Sequence, residues 1–286
     1  MISFSGSDDT AYPLRPSEDP AAKALANGFC LLVSGFAVLP IAAFLVLAFT
    51  KKYPLDPSFT FQNVQDTLRI HGGRYLLNSL VIALLVAAFG TALAFITAYL
   101  TARMKSPLSH FLHGSAISTM AIPGIVLGLS YVLSFKGSFW YGTIWLLVMV
   151  NMVHFISSPY LMMYHALSKI SSHLEGVGSV LGVSRGRIML DVLFPSCKDT
   201  LLEMFSYFFV NCMMTISAVS FLATTANKPI ALMINQFEAQ MQLECAAVVS
   251  LMILLVNLLL KGMIAFLRNR NQRPIVYHKN CVKSTT

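Results

Sequence analysis

Long stretches without Lys, Arg, Asp or Glu constrain the fold of this chain more than any other feature. Five of them exceed 20 residues and a sixth is shorter: Phe29–Thr50, Tyr75–Ala102, Ser106–Phe135, Gly137–Ser168, Met204–Asn227 and Cys245–Leu260. A helix needs about 20 apolar residues to cross ~30 Å of hydrocarbon. The sixth stretch can extend past Lys261, because a lysine amine reaches the headgroups from within a span. The sequence therefore predicts an all-α, polytopic membrane protein with six transmembrane helices.

The distribution of Lys and Arg predicts the orientation of these spans. With the N-terminus inside, the inner segments 1–28, 101–111, 163–200 and 267–286 hold 13 of the 20 basic residues, and the outer segments hold 6. Inner loops carry the excess of Lys and Arg, so both termini are predicted to lie in the cytoplasm. The net charge of +8 follows from this topology. The basic residues form no nucleic-acid motif, so membrane lipid is an expected partner and nucleic acid is not.

Polarity divides the chain into four predicted parts. They are a polar cytoplasmic tail, the first span with an external loop, a core of five spans, and a basic cytoplasmic tail, at residues 1–27, 28–74, 75–266 and 267–286. The first tail contains four acids, which is not the basic start of a cleaved signal peptide. Segment 61–70 has the pattern of a short amphipathic helix. The outer segment Pro229–Met241 predicts another short helix, whose apolar face comprises Ile230, Met233, Ile234, Phe237 and Met241.

The inner loop at 165–199 is the longest polar segment between two spans, and loops of this length are usually functional. Apolar residues recur before Gly182 with the spacing of a helix that continues from the fourth span. Gly182 can take the left-handed conformation that ends such a helix, and Ser184 can cap a second helix. Arg185 and Arg187 follow, and an apolar stretch closes at Pro195. The pattern predicts two helices joined by a bend that projects from the membrane toward a soluble partner.

This loop resembles the EAA loop of the permeases of bacterial binding-protein-dependent ABC importers. Gly182 and Pro195 have the family's spacing of thirteen, and Val183-Ser184-Arg185 stands where the family usually has Ala-Ser-Arg. By this alignment Gly176-Val177-Gly178 replaces the Glu-Ala-Ala triplet. Glu175 stands one position earlier, where many members carry a second acid. The resemblance covers roughly residues 75–265.

The resemblance implies a type I ABC importer permease fold in a bacterial inner membrane. It also implies a second permease subunit, identical or paralogous, together with two cytoplasmic ATP-binding subunits and an extracytoplasmic solute-binding protein. The chain has no GxxxxGK[ST] sequence, so ATP hydrolysis is expected in a separate subunit and this chain is not expected to be an enzyme. The residues that would contact or position the ATPase are Glu175, Gly182, Ser184, Arg185, Arg187 and Pro195.

Polar and helix-breaking residues inside the spans are candidates for the translocation path. They are Asn211, Thr215, Ser217 and Ser220 of the fifth span and Pro123, Gly124 and Gly128 of the third. Helix–helix packing by small residues is the alternative explanation. The sequence Asn211–Leu222 is similar to the corresponding helix of ferric-iron and 2-aminoethylphosphonate permeases. The resemblance thus implies one of these cargoes, with polyamine or another small solute as the alternative.

No catalytic, cofactor or metal site is expected. His110 and His113 have helical spacing but no third ligand nearby, and His154 is interpreted as a buried, hydrogen-bonded residue. The five cysteines show neither CxxC nor metal spacing. A secondary carrier or channel without an ATPase, and a membrane scaffold, are the alternative functions. Spans two to five contain no internal acid or base, which argues against a proton-coupled carrier.

Overall fold

The computed structural model describes residues 19–104, 106–171 and 173–271, and it is almost entirely helical. A two-stranded antiparallel hairpin, β1 (Thr50–Lys52) and β2 (Asp56–Phe59), follows the first helix. Seven helices precede the inner loop: α1 (Pro20–Ala48), α2 (Gln62–Arg69), α3 (Gly72–Arg103), α4 (Pro107–Ser118), α5 (Gly124–Phe135), α6 (Ile144–Phe155) and α7 (Ser157–Ser168). The helices of the loop and of the remaining chain are α8 (His173–Val180), α9 (Arg185–Ile188), α10 (Phe194–Ser196), α11 (Lys198–Met214), α12 (Ala231–Ala239) and α13 (Leu243–Asn271).

Contacts between Cα atoms divide the chain after Val46 into two units. The described part of the first unit is a single apolar helix, the part of α1 up to Val46, whose side chains are exposed on every face. The second unit contains the hairpin, all the other helices and a contiguous core.

Three described helices, α1, α3 and α13, are each long and apolar enough to cross a membrane. Two further pairs qualify only if each bent pair counts as one span. The turn after α4 meets α5 at 111°, and α6 meets α7 at 55°. The count is thus three to five, so the predicted six spans are not confirmed. The segment predicted as the fifth span contains α11, whose 17 helical residues end at Met214.

Each interruption has a local cause in the backbone. Pro123 disfavours helical geometry in the residue before it, and Ile122 is extended, with ψ of 118°. In α7, Pro159 has no amide to donate to the carbonyl of Phe155, so the helix bends there. After α11, Thr215 is extended, with ψ of 134°, and turns replace helix as far as residue 230.

The core of the second unit forms around α3, which packs against α11, α7 and α6. Gly90 lies at the contact between α3 and α11. A Cβ atom at that position would come within 2.9 Å of the Phe208 ring, and Phe208 is fully buried. The glycine therefore sets how closely these two helices approach, as small residues commonly do between membrane helices.

Both short helices predicted for the outer loops are present as α2 and α12. Ile230, Met233 and Phe237 are buried, as the pattern in the second segment predicts. Met241 is not part of that face: it adopts a left-handed φ of 57° beyond the end of α12 and is 84% exposed. The helical spacing stops applying where the helix ends at Ala239.

Two side chains fix the hairpin to the rest of the second unit. The Asn63 amide nitrogen donates to the carbonyls of Ala48 (3.0 Å) and Thr50 (2.8 Å). The Tyr53 amide donates to the Glu244 carboxylate at 2.8 Å, at the start of α13. The hairpin therefore lies at the end of one of the three long apolar helices.

We expect Gly90→Val to weaken the contact between α3 and α11, because the Phe208 ring leaves no room for a side chain there. Overpacking of this kind costs about 1–3 kcal/mol. The matched control is Gly262→Val in α13, where no atom lies within 4 Å of an added Cβ. The thermal midpoint in detergent, measured by loss of the monodisperse peak in size-exclusion chromatography, should fall for Gly90→Val alone. Equal midpoints for the two variants would contradict the packing assigned to Gly90.

Candidate functional site

The segment predicted as an inner loop folds as two short helical arms joined by a sharp bend, and we call residues 173–196 the elbow. The first arm, α8, ends at a turn in which Gly182 has a left-handed φ of 71°. The Val183 amide donates to the Gly178 carbonyl at 2.9 Å, which is the long hydrogen bond of a Schellman cap. No atom lies within 4 Å of an added Cβ at Gly182, so φ rather than space requires glycine there. The left-handed conformation predicted for Gly182 is therefore present.

The second arm begins at Ser184, which occupies the predicted N-cap position with extended backbone. Its carbonyl accepts from the amides of Arg187 (3.0 Å) and Ile188 (3.1 Å). Its side chain makes no capping hydrogen bond, so that part of the prediction is wrong. Residues 181–187 are all exposed, so water can reach the first amides of this arm and replace the hydroxyl.

The two arms pack directly against each other. A Cβ atom at Gly178 would collide with the end of the Ile188 side chain, and Ile188 is buried. The first arm is not a continuation of α7, however. The helix ends at Ser168 and restarts at His173, so the continuous helix predicted from the apolar spacing is interrupted.

Pro195, which closes the apolar stretch of the loop, lies inside the last helical turn of the second arm. A proline lacks an amide, and its ring clashes with the carbonyl four residues earlier, here that of Asp191. The wider π-helical turn Met189–Leu193 precedes it. A π turn is the local adjustment by which a helix accommodates such a residue.

The tip of the elbow is apolar and open. Val180 is 88% exposed and Leu181 is 73% exposed, and they line a shallow hollow together with His173, Gly176 and Val177. Large exposed apolar patches outside a membrane usually mark an interaction surface.

The two arginines that follow the tip along the chain are exposed. Arg185 begins α9, and Arg187 pairs with Asp191 at 3.3 Å, with both side chains largely in the open. An exposed ion pair four residues apart is worth only a few tenths of a kcal/mol. Both arginines are therefore available to a partner at little energetic cost.

Glu175 lies on the opposite side of α8 and points back toward the chain's own core. Its Oε1 is 3.4 Å from Nε of Arg103, the last residue of α3, and the side chains are 18% and 7% exposed. Nη2 of Arg103 also donates to the carbonyls of Leu167 (3.0 Å) and Ile170 (2.9 Å). One guanidinium thus contacts α3, the end of α7 and α8.

Sequence reasoning missed Arg103 because it counted that residue only toward the positive charge of an inner loop. A signal was present. Arg103 is the first charged residue after the charge-free stretch Tyr75–Ala102, and Glu175 is the only acid between Ser106 and Leu190. A guanidinium at one helix end can donate to the open carbonyls of a second helix end, while a nearby carboxylate balances its charge.

The candidate path residues divide into those that meet at the α5 break and those that do not. Pro123 precedes α5. A Cβ atom at Gly124 would collide with the Ser217 hydroxyl and come within 3.1 Å of the His154 ring. A Cβ atom at Gly128 would lie 2.5 Å from the Ala218 carbonyl oxygen. The start of α5, just after the break at Pro123, therefore packs tightly against the turns that follow α11.

The remaining path candidates bond locally or are buried. Asn211 donates to the Tyr207 carbonyl of its own helix at 2.8 Å, and Ser220 donates to the Ser217 carbonyl at 3.1 Å. Thr215 is buried at the end of α11.

The three singled-out histidines differ in their surroundings. His154 is half-buried, and its Nδ1 has no hydrogen-bond partner among the described residues, so the structure does not support its interpretation as a buried, hydrogen-bonded residue. His113 contacts the hydroxyl of Tyr160, which in turn donates to Thr101 at 2.9 Å. His110 faces the Ser106 carbonyl at 3.1 Å.

Residues 90–273 match the family model described as binding-protein-dependent transport system inner membrane component. No curated protein sequence matches the chain. Among solved structures, the fold is similar to that of a bacterial ABC transporter involved in the import of the acidic polysaccharide alginate. The TM-score is 0.68 at 14% identity, over 89% of this chain and 100% of that one.

A second structure of similar fold is a bacterial alginate ABC transporter in complex with an alginate pentasaccharide-bound periplasmic protein. Here the TM-score is 0.72 at 13% identity, over 88% of this chain and 95% of that one. At these identities the two structures support the fold and carry no information about the cargo of this chain.

Gly182→Val should loosen the bend without any steric clash, because a β-branched residue is strained at the left-handed φ of this position. The strain is about 1–2 kcal/mol. The matched control is Gly186→Val, which also has open space around it but lies in a right-handed helix. Hydrogen exchange at the Val183 amide should accelerate by roughly 5- to 30-fold in Gly182→Val only. An unchanged rate would show that the Schellman cap does not depend on Gly182.

Proposed function

This chain belongs to the family of binding-protein-dependent transport system inner membrane components, and from that premise we propose that it is the membrane-spanning permease subunit of an ATP-driven importer. The observation that carries the proposal is the elbow, which has an exposed apolar tip. An apolar tip on a loop between spans is stable in water only as part of an interface. We assign that interface to a separate ATP-binding subunit.

The proposed assembly contains a second permease subunit, two ATP-binding subunits in the cytoplasm and an extracytoplasmic solute-binding protein, within a bacterial inner membrane. Six spans with both termini inside remain our proposal for the topology. In that arrangement α11 and the turns up to residue 230 complete the fifth crossing. Thr215 and Ala218, at its irregular end, are buried, as backbone outside a regular helix must be at membrane depth.

We assign the coupling residues by the face of the elbow on which each lies. Arg185 and Arg187 flank the apolar tip and would meet acidic groups of the ATPase, since a guanidinium can hold a carboxylate with two bonds. Gly182 and Ser184 set the bend between the arms, and Pro195 lies at the root of the second arm. Glu175 faces the chain itself and would act from within.

The break at α5 is our candidate for the translocation path. Pro123, Gly124 and Gly128 meet Ser217 and its neighbours there, and His154 stands beside them. Asn211, Thr215 and Ser220 belong to the same segment of chain and complete the proposed lining. An interrupted helix at membrane depth is characteristic of transport sites, because the freed backbone groups can face a cavity.

For the cargo we propose ferric iron or 2-aminoethylphosphonate, with polyamine or another small solute as the alternative. The support is limited to the similarity of Asn211–Leu222 to the corresponding helix of such permeases. Calorimetric titration of the cognate solute-binding protein with each compound decides between them. Binding of an oligosaccharide in place of all three would overturn this assignment and leave the permease assignment intact.

Val180→Asp should release the ATP-binding subunit, because an uncompensated carboxylate would then be buried at the proposed interface. The matched control is Met241→Asp, which changes an equally exposed apolar residue beyond α12. The measurement is co-purification of the ATP-binding subunit with the tagged permease from membranes. We expect at least a tenfold loss for Val180→Asp, corresponding to about 1.4 kcal/mol, and full retention for Met241→Asp. Retention in both would favour a carrier or scaffold that uses no ATPase at this surface.

The proposed topology places Ser184 in the cytoplasm and Gln240 outside. Single cysteines at these two exposed positions, in a cysteine-free background, should react oppositely with a membrane-impermeant maleimide. In intact spheroplasts only Gln240→Cys should be labelled, and in inverted vesicles only Ser184→Cys. Labelling of Ser184→Cys from outside would reverse the orientation and remove the elbow from the cytoplasm.

A further inference from the structure

We propose that Arg103 and Glu175 form a latch that holds the first arm of the elbow to the ends of α3 and α7, so that any displacement of the elbow is passed to these two helices. Arg103 is a positioning residue in this proposal and does not itself contact the ATPase. The proposal rests on the proposed function and adds the path by which movement leaves the elbow.

The latch is supported first by the geometry of its guanidinium. Nη2 donates to the carbonyl of Leu167, in the last turn of α7, and to that of Ile170, two residues beyond the helix. The Leu167 carbonyl also accepts from the Ile170 amide at 3.1 Å, so the guanidinium adds to the closing turn of the helix. Nε faces the Glu175 carboxylate at 3.4 Å, which makes an ion pair without a hydrogen bond between these two atoms. A planar fork with several fixed donors can bridge three groups in this way, whereas a lysine ammonium on a flexible stem cannot hold the same directions.

Burial is the second support. The Arg103 and Glu175 side chains are 7% and 18% exposed, in contrast to Arg268 and Glu203, whose ion pair at 3.2 Å is about half exposed. An exposed pair is screened by water and contributes little. A buried pair is worth little compared with an apolar contact, but removing one partner leaves an uncompensated charge and is strongly unfavourable. Removing either side chain should therefore disrupt the latch as a whole.

The third support is that the latch joins a weakly held element to firmly held ones. The last turn of α3 is already joined to the first turn of α7 by the Tyr160 hydroxyl, which donates to Thr101 at 2.9 Å. Arg103 also lies near Cys197 at the start of α11. Burial raises the pKa of the Cys197 thiol, and the positive charge of Arg103 acts in the opposite direction. The first arm packs on the second arm, and the Glu175 side chain ties it to the end of α3.

The orientation of Glu175 separates this proposal from the role that its place in the loop suggests. A residue that contacts the ATPase would point outward with Val180 and Leu181. Glu175 is on the inward side, with its carboxylate against α3. Its loss should therefore leave the ATPase bound and interrupt only the response of the membrane helices.

The experiment uses the purified complex of permease and cognate ATP-binding subunits in lipid nanodiscs, with Mg-ATP as the probe. The variants are Glu175→Gln, Arg103→Gln and the double change, and the matched controls are Glu203→Gln and Arg268→Gln. Three quantities are compared: retention of the ATP-binding subunits, the rate of ATP hydrolysis, and the ATP-dependent change in maleimide labelling of Ser130→Cys on α5. Ser130 is exposed and belongs to neither the latch nor the elbow.

We expect both latch variants to retain the ATP-binding subunits and to hydrolyse ATP, while the labelling response falls by about tenfold, within the usual range for residues that transmit coupling. The double variant should be no worse than the worse single variant, because the two residues act as one unit. The Glu203 and Arg268 controls should respond as wild type does. A wild-type response in Glu175→Gln overturns the latch, and so does release of the ATP-binding subunits by that variant, which would make Glu175 a partner contact.

A second measurement keeps the proposal testable if Arg103→Gln does not fold, and it separates failure of the latch from failure of the proposed function. Hydrogen exchange of residues 173–183 in the permease alone should accelerate in Glu175→Gln and, to a smaller extent, in Arg103→Lys, which keeps the charge but not the fork. Unchanged exchange overturns the latch whatever the ATPase does. Accelerated exchange in a permease that never binds an ATP-binding subunit would confirm the contact and overturn both its transmitting role and the proposed function.

Discussion

Backbone hydrogen bonding in hydrocarbon is the constraint from which the rest of this structure follows. No water is present there to satisfy an open amide or carbonyl, so a crossing segment must be helical or must have its breaks buried in protein. In the proposed six-span topology, the turns after α11 meet this requirement through side chains. Asn227 accepts from the Thr224 amide at 2.7 Å and donates to the Gly142 carbonyl at 2.9 Å. The Ser79 hydroxyl accepts from the Ile230 amide at 2.7 Å. A helix can therefore be interrupted only where other elements supply hydrogen-bond partners for its backbone. A translocation path can form at those interruptions.

The same requirement explains the end of the bundle at which α3 and α7 stop. Where α7 stops at Ser168, the chain leaves the helix with fewer amides for its carbonyls, and the Arg103 guanidinium donates to the carbonyl of Leu167 and to that of Ile170 just beyond the helix. The charge that does so must itself be balanced, and the Glu175 carboxylate on the first arm of the elbow is beside it. The contacts that close the end of α7 therefore also bring the elbow into contact with α3. We regard this as the physical origin of the coupling proposed for the chain.

Local chemistry in the sequence predicted the parts of the site that depend on neighbours in the chain. The bend at Gly182 follows from one glycine between two apolar periodic segments, and the outer helix α12 follows from its apolar spacing. Contacts between distant segments were not predictable in this way. The Arg103–Glu175 pair joins residues far apart in sequence. The early end of α11 at Met214 could not be read from hydropathy, because Thr215–Leu222 stays apolar enough to continue a span while its backbone turns.

The most direct test of the central claim, that the elbow tip is the surface through which a separate ATPase drives this chain, is site-specific photocrosslinking in native membranes. A benzophenone amino acid placed at Leu181, which is exposed at the tip, reports whatever protein lies against that face. The account predicts one dominant adduct with a polypeptide that contains a nucleotide-binding P-loop, and none from the same group at Met241. Adducts with lipid alone at Leu181, or a P-loop protein captured at Met241 instead, would contradict it.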